Sequence, residues 1–253
     1  MPALNPKKSL PAASEELPRM SLLDHLEELR KRIVRALLTL IVAFIPCWYF
    51  VDEIFDFLAK PIQKLLPAGT KLAFLGVTDP IILYFKVAGL AALFLSSPFL
   101  MYQVWRFVSP GLYAKERRFA FPFIASGTAF FLAGGAFAYY VAFPGAVKFL
   151  LQMGEKFMPV ITIERYFGFL LTVILGLGAM FELPVMIFLL SYLGLVTPGF
   201  LLRNFRYAVV LIAIAAALLT PTPDIVNMLV FAVPGILLYL LGVGAAMLVT
   251  SMI

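Results

Sequence analysis

Five stretches of this sequence each run for nineteen residues or more with at most one charged side chain. They are Ile33–Val51, Ile81–Trp105, Phe119–Phe143, Phe167–Leu190 and Ile225–Ile253. A helix of about twenty residues, rising about 1.5 Å per residue, crosses the roughly 30 Å hydrocarbon core of a bilayer. Only 13% of the 253 residues are charged and 62% are hydrophobic, with mean hydropathy +0.99. A soluble domain averages about a quarter charged residues. That much apolar surface cannot be enclosed in one water-facing globule, so the bilayer must serve as solvent. The pattern predicts an all-α integral membrane protein.

A sixth apolar stretch, Tyr207–Thr220, has only fourteen residues and reaches about 21 Å as a helix. Pro221 and Pro223 follow it and forbid a continuous helix. The expectation is a short span turned back at Pro221–Asp224, with Asp224 capping the last helix. Six spans put both termini on one side. The tail and the two connections on that side hold thirteen Lys and Arg against six in the opposite loops, which predicts N-in and C-in topology. The longer outer segments, one carrying Ile54, Phe57, Leu58, Ile62, Leu65 and Leu66 at helical spacing, predict short amphipathic helices, with "PGAVKFLLQMGEKFMPVITIERY" expected to behave similarly. Small residues in "ASGTAFFLAGGAFA" predict close helix approach. Residues 1–20, with four prolines, read as a flexible cytoplasmic tail ahead of one membrane domain, 21–253.

Several functions are excluded. The only histidine, His25, precedes the first span, so a multi-histidine metal site is impossible. Ser126 in "IASG" lacks the first glycine of a nucleophile elbow and has no histidine to serve it, and no phosphate-binding glycine loop is present. Cys47 is a packing residue that cannot form an internal disulfide. No basic module outside the loops suits nucleic acid. An enzyme is not expected, nor a cofactor or metal.

Three acidic features remain. In "LDHLEELRKRIVRALLTL", Leu22, Leu26, Leu29 and Ile33 recur at helical spacing, and Glu27–Lys31 and Glu28–Arg32 form i,i+4 pairs in the favourable order. A solvated, self-paired helix accounts for that pattern; so would an acidic site set in a basic collar. Glu116 lies beside Arg117 and Arg118 in "SPGLYAKERRF" and adds nothing to topology. Glu182, in "AMFELPVMIF", lies well inside the fourth span. There an ionisable group costs about 2.5–3.5 kcal/mol on insertion scales and usually faces protein interior or a wet cavity. Pro184 cannot donate to the Met180 carbonyl, which predicts a kink beside the acid. A proton-coupled small-solute transporter is one way to use Glu182, but that architecture calls for paired ionisable groups and a repeat. This sequence has one such acid and no repeat.

With those residues in view the chain resembles TatC, the multispanning receptor family of the twin-arginine protein translocase. The likeness rests on "HLEELRKR", "AKPI", "YQVWRFVSPGLYAKERR", "AFAYYVAFP", "FELPV" and "LLTPTPD", in that order. It implies a six-span, N-in, C-in protein of the bacterial cytoplasmic membrane that binds twin-arginine signal peptides of folded precursors. It further implies single-span TatB- and TatA-type partners, self-association within the complex, and the protonmotive force as the energy source. The family's signal-peptide acids fall on Glu28 and Glu116, with neighbouring motif positions on Leu29, Arg30 and Phe107. Its outer proline falls on Pro61 and its intramembrane acid on Glu182. The last turn reads T-P-T-P-D, one residue longer than the usual T-P-P-D, and ends in Asp224. Just beyond, the family often has a glutamine in a polar patch used by TatA or TatB; this chain departs from that with Met228, beside Asn227, and the resemblance implies partner contact at Thr220 and Asn227.

Acids suit such a ligand. A guanidinium is planar, always charged, and pairs with a carboxylate through two parallel hydrogen bonds, whereas lysine offers only a hydrated point charge.

Overall fold

The computed structural model describes residues 22–63, 72–108, 120–157, 160–220 and 224–252, and the regular elements among them are helical. Helix α1 spans Leu22–Tyr49, so the charged "HLEELRKR" segment and the first apolar run form one rod. Helix α2, Val51–Gln63, follows almost without a break, with Ile54 N–H donating to the Phe50 carbonyl. It is the expected short amphipathic helix. Val51, Leu58, Ala59 and Ile62 are buried, while Asp52, Glu53 and Lys60 face outward. Phe57 falls off that buried face and is exposed, its ring stacked on Tyr139. Leu65 and Leu66 lie outside the described residues.

Helix α3 is Asp79–Val108. Phe85, near the start of α3, packs on Phe44 and Trp48 near the end of α1, and because the two helices pack along one another they run antiparallel. Helix α4, Ala120–Phe137, returns beside α3. The second outer segment departs from expectation. Residues 144–153 do not form a separate helix lying across the spans; helix α5, Phe143–Met153, continues α4 through a π-helical turn at Ala138–Ala142. The physical reason is Pro144, which has no N–H to give. Widening one turn lets Phe143 N–H reach the Ala138 carbonyl and carries the rod past the proline.

Helix α6, Ile163–Phe181, starts at Thr162, whose hydroxyl accepts from Arg165 N–H. Just before it, Ala73 and Thr162 pair as an isolated parallel bridge that ties the two outer segments together. The rod is interrupted at Glu182 and resumes as α7, Leu183–Tyr192, so the expected break beside Pro184 is present. Two short helices follow, α8 at Pro198–Arg203 and α9 at Phe205–Leu219. Helix α10, Ile225–Met252, runs through Pro234 as one element. Among the described residues five segments are long and apolar enough to cross a membrane: Leu26–Tyr49, Asp79–Val108, Ala120–Met153, Ile163–Tyr192 and Ile225–Val249. The shorter apolar helix is Phe205–Leu219.

The core is centred on α6, where Phe167, Leu170, Val173 and Leu177 are fully buried. Three tyrosines bind the bundle to its outer and connecting helices. Tyr139 and Tyr166 donate to the Phe57 and Leu58 carbonyls of α2, and Tyr239 donates to the Leu201 carbonyl of α8. Close approach falls where the small residues predict it. A Cβ on Gly134 would lie 2.8 Å from the Leu177 carbonyl oxygen and 2.9 Å from Gly178 Cα. Both are backbone atoms and cannot turn aside. Gly134→Ala should therefore lower stability by about 1–3 kcal/mol. Gly89→Ala, with nothing within 4 Å of the new methyl, should be neutral. Paired thermal unfolding of the two variants in detergent measures the difference.

Candidate functional site

The antiparallel register of α1 and α3 brings the start of α1 beside the end of α3. At this end of the bundle Trp105 packs on Phe123, ring centroids 5.3 Å apart, and both join Val185 and Leu189 in a small buried cluster. Of the sequence-derived residues, Glu28, Leu29 and Phe107 are half-buried here and Arg30 is exposed. Glu116 lies outside the described residues, so its place relative to Glu28 is a matter for proposal.

The two ion pairs of α1 separate sharply. Glu27–Lys31, at 2.7 Å, is in water, with side-chain exposures of 62% and 61%. Glu28–Arg32 is withdrawn, with exposures of only 17% and 10%. Their spacing and order are the same, so sequence pattern alone assigns both an equal worth. A solvated, self-paired helix therefore describes only the first pair. What the pattern cannot show is which side of α1 faces its neighbours.

Glu182 occupies the break between α6 and α7. Its N–H turns back to the Ala179 carbonyl at 3.2 Å, and its own carbonyl accepts from Met186 at 2.9 Å. The side chain points at α4. A Cβ on Gly127 would stand 3.5 Å from Glu182 Oε2 and 2.9 Å from Met101 Sδ. Gly127 is thus the seventh residue after Ala120, which places the acid about 10 Å along α4 from its start. Glu182 Oε1 and Thr128 Oγ1 are buried without a hydrogen-bond partner among the described residues. Gly127 and Thr128 were not singled out by the sequence, since a Gly-Thr pair in an apolar helix resembles ordinary packing.

At the opposite end of the bundle, Pro61 interrupts the α2 ladder and leaves the Phe57 carbonyl without its helical donor. The Tyr139 hydroxyl supplies one. Thr220 closes α9, its N–H and hydroxyl donating to the Ala216 and Ala217 carbonyls. Asp224 caps α10 as expected. Its Oδ1 accepts from Asn227 N–H at 2.7 Å, and its Oδ2 accepts from Asn227 Nδ2 at 2.9 Å. Asn227 is fully buried. Thr220 also lines a groove of ≈ 750 Å³ bordered by Arg165, Phe169 and Leu219. Among the described residues no group of three or more metal-ligating side chains gathers.

Comparison with known proteins agrees across the chain. The family model described as Sec-independent protein translocase protein (TatC) matches residues 24–234. The Sec-independent protein translocase protein TatC of Koribacter versatilis (strain Ellin345) is 45% identical over 251 residues, covering 98% of this chain and 93% of its own length. That of Halothiobacillus neapolitanus (strain ATCC 23641 / c2) is 38% identical over 239 residues, covering 93% of this chain and 64% of that relative. A crystal structure of the twin arginine translocase receptor TatC superposes with TM-score 0.79 at 30% identity, covering 89% of this chain and 99% of that one.

The Asp224 cap generates a direct test. Asp224→Ala should cost about 1 kcal/mol of stability, while Asp224→Asn, which keeps an acceptor at the same place, should retain most of it. Denaturation midpoints of the two variants in the same detergent decide the point.

Proposed function

This chain belongs to the TatC family of Sec-independent protein translocase proteins, and on that premise we propose that it is the receptor and core subunit of a twin-arginine translocase. It binds the twin-arginine signal peptides of folded precursors at the cytoplasmic face of a bacterial inner membrane. It crosses that membrane six times, with α9 as the short span and both termini inside. Single-span TatB- and TatA-type subunits and further copies of this chain complete the complex, which runs on the protonmotive force. Residues 1–20 form its cytoplasmic tail and 21–253 its membrane domain.

The observation that carries the reading is the withdrawn carboxylate of Glu28 among Arg30, Lys31 and Arg32, at the end of the bundle where Phe107 also lies. A basic collar repels a ligand whose signature is two arginines, and a collar that serves topology alone has no use for a half-buried acid. Glu28 and Glu116 together grip the arginine pair, Leu29 and Phe107 receive the apolar flank, and Arg30 borders the site. Each charged hydrogen bond contributes roughly 1.5–3 kcal/mol net. Two carboxylates then separate twin arginine from an unrelated leader by about a hundredfold. Glu182 is the intramembrane acid of the translocation step, and its burial against Gly127 supports a role inside the bundle rather than at the collar. Thr220 and Asn227, beside the α9–α10 turn, serve partner contact; Pro61 fixes the outer helix through the carbonyl it frees.

Helix α9 supports one further part of this reading. Its fifteen residues give about 22 Å of helix, well short of a bilayer core. The membrane thins beside it or neighbours shield its ends, which eases passage of a folded domain.

Binding and transport test the two parts separately. Glu28→Ala and Glu116→Ala should each weaken binding of a twin-arginine peptide to the purified chain about tenfold, and the double variant should lose the preference over twin lysine. Unchanged affinity in all three would remove the site. Lengthening α9 by one turn of leucines should impair export in vesicles while leaving peptide binding intact.

A further inference from the structure

Deepening the signal-peptide reading and resting on it, we infer that Arg32 is the resident occupant of the Glu28 carboxylate, displaced when a ligand arginine binds, and so sets the specificity of the site. Helix α1 carries two ion pairs alike in spacing and order, yet only Glu28–Arg32 is withdrawn from water. The withdrawn guanidinium is poorly served there. Its Nη2 donates to Glu28 Oε1, while Nε and Nη1 are buried with no partner among the described residues. A guanidinium has five N–H donors and does not deprotonate in proteins. Buried donors left unmatched make the pair costly to hold.

Such a contact is a placeholder. It neutralises Glu28 while the site is empty, and a better-matched cation can break it. The helix register indicates the direction of exchange. Along α1, Arg32 stands four residues, about one turn, nearer the apolar run than Glu28. Arg32 therefore holds the carboxylate from the side nearer the apolar run, and in the proposed exchange the ligand takes it from the other. An incoming guanidinium can make two parallel hydrogen bonds where Arg32 makes one. A lysine ammonium makes a point contact like the resident's own and gains nothing by replacing it. Arg32 thereby turns a modest geometric preference for arginine into a threshold.

The test measures affinity of the full-length chain in detergent for a twin-arginine peptide and its twin-lysine counterpart. Arg32→Gln should tighten both, twin lysine about fivefold more than twin arginine, so that selectivity narrows. The gain should vanish in the Arg32→Gln, Glu28→Gln double variant, because there is then no carboxylate to unmask. Arg32→Lys, which keeps a resident cation with a weaker hold, should fall between and covers the case in which Arg32→Gln does not fold. If the wild type prefers twin arginine and loses that preference with Glu28→Gln, the receptor reading stands. Under that result, equal or weaker binding in folded Arg32→Gln and Arg32→Lys overturns the displacement alone. A wild type that does not distinguish the peptides overturns both.

Discussion

In hydrocarbon, every backbone N–H and C=O must find its partner within the protein, and this sequence tests that requirement by placing prolines along its helices. Each proline removes one donor and strands the carbonyl four residues earlier. At four of them the fold answers by different devices. Pro98 frees the Phe94 carbonyl, and the neighbouring Ser97 hydroxyl takes it at 2.8 Å. Pro61 frees the Phe57 carbonyl for Tyr139, a residue of another helix. Pro144 is passed by a widened turn, and Pro184 by a one-residue interruption at Glu182. The last two solutions shape the bundle, since one carries α4 on into α5 and the other sets Glu182 between α6 and α7.

Charge obeys the same constraint in graded form. Glu27 and Lys31 pair in water, where an ion pair costs and contributes little. Glu28 and Arg32 sit one step inward, screened from water and incompletely matched. Glu182 lies deeper still, against Gly127, with a carboxyl oxygen that meets no donor among the described residues. Because the dielectric falls along this series, the same carboxylate becomes progressively more selective about what it accepts. An acid in the collar can discriminate between cations; an acid in the joint can hold a charge only with help.

Much of this architecture was legible in the sequence because hydrophobic length and proline placement are local properties. The five long spans, the short α9, the Asp224 cap and the break beside Pro184 each follow from a few adjacent residues. What was not legible depends on facing. The pairs Glu27–Lys31 and Glu28–Arg32 read alike until α3 packs against one side of α1. Phe57 has the right spacing for the buried face of α2 but lies to its edge. The segment after Phe143 reads as a separate amphipathic helix because the π turn that joins it to α4 has no sequence signature beyond Pro144. Gly127 and Thr128 gain meaning only when Glu182 arrives from 55 residues away.

Two motifs that the sequence presents separately prove to be one device. "AKPI" and "AFAYYVAFP" meet where Tyr139 takes the carbonyl freed by Pro61, and Phe57 stacks on the same tyrosine with centroids 4.7 Å apart. Tyr166 makes the neighbouring bond to Leu58 from α6. The outer helix is therefore held by hydrogen bonds to two rods as well as by its apolar face, and the Ala73–Thr162 bridge adds a third tie from its loop. At the α9–α10 connection the Thr220 hydroxyl donates to the Ala217 carbonyl at the end of α9, and Asp224 accepts from Asn227 N–H at the start of α10.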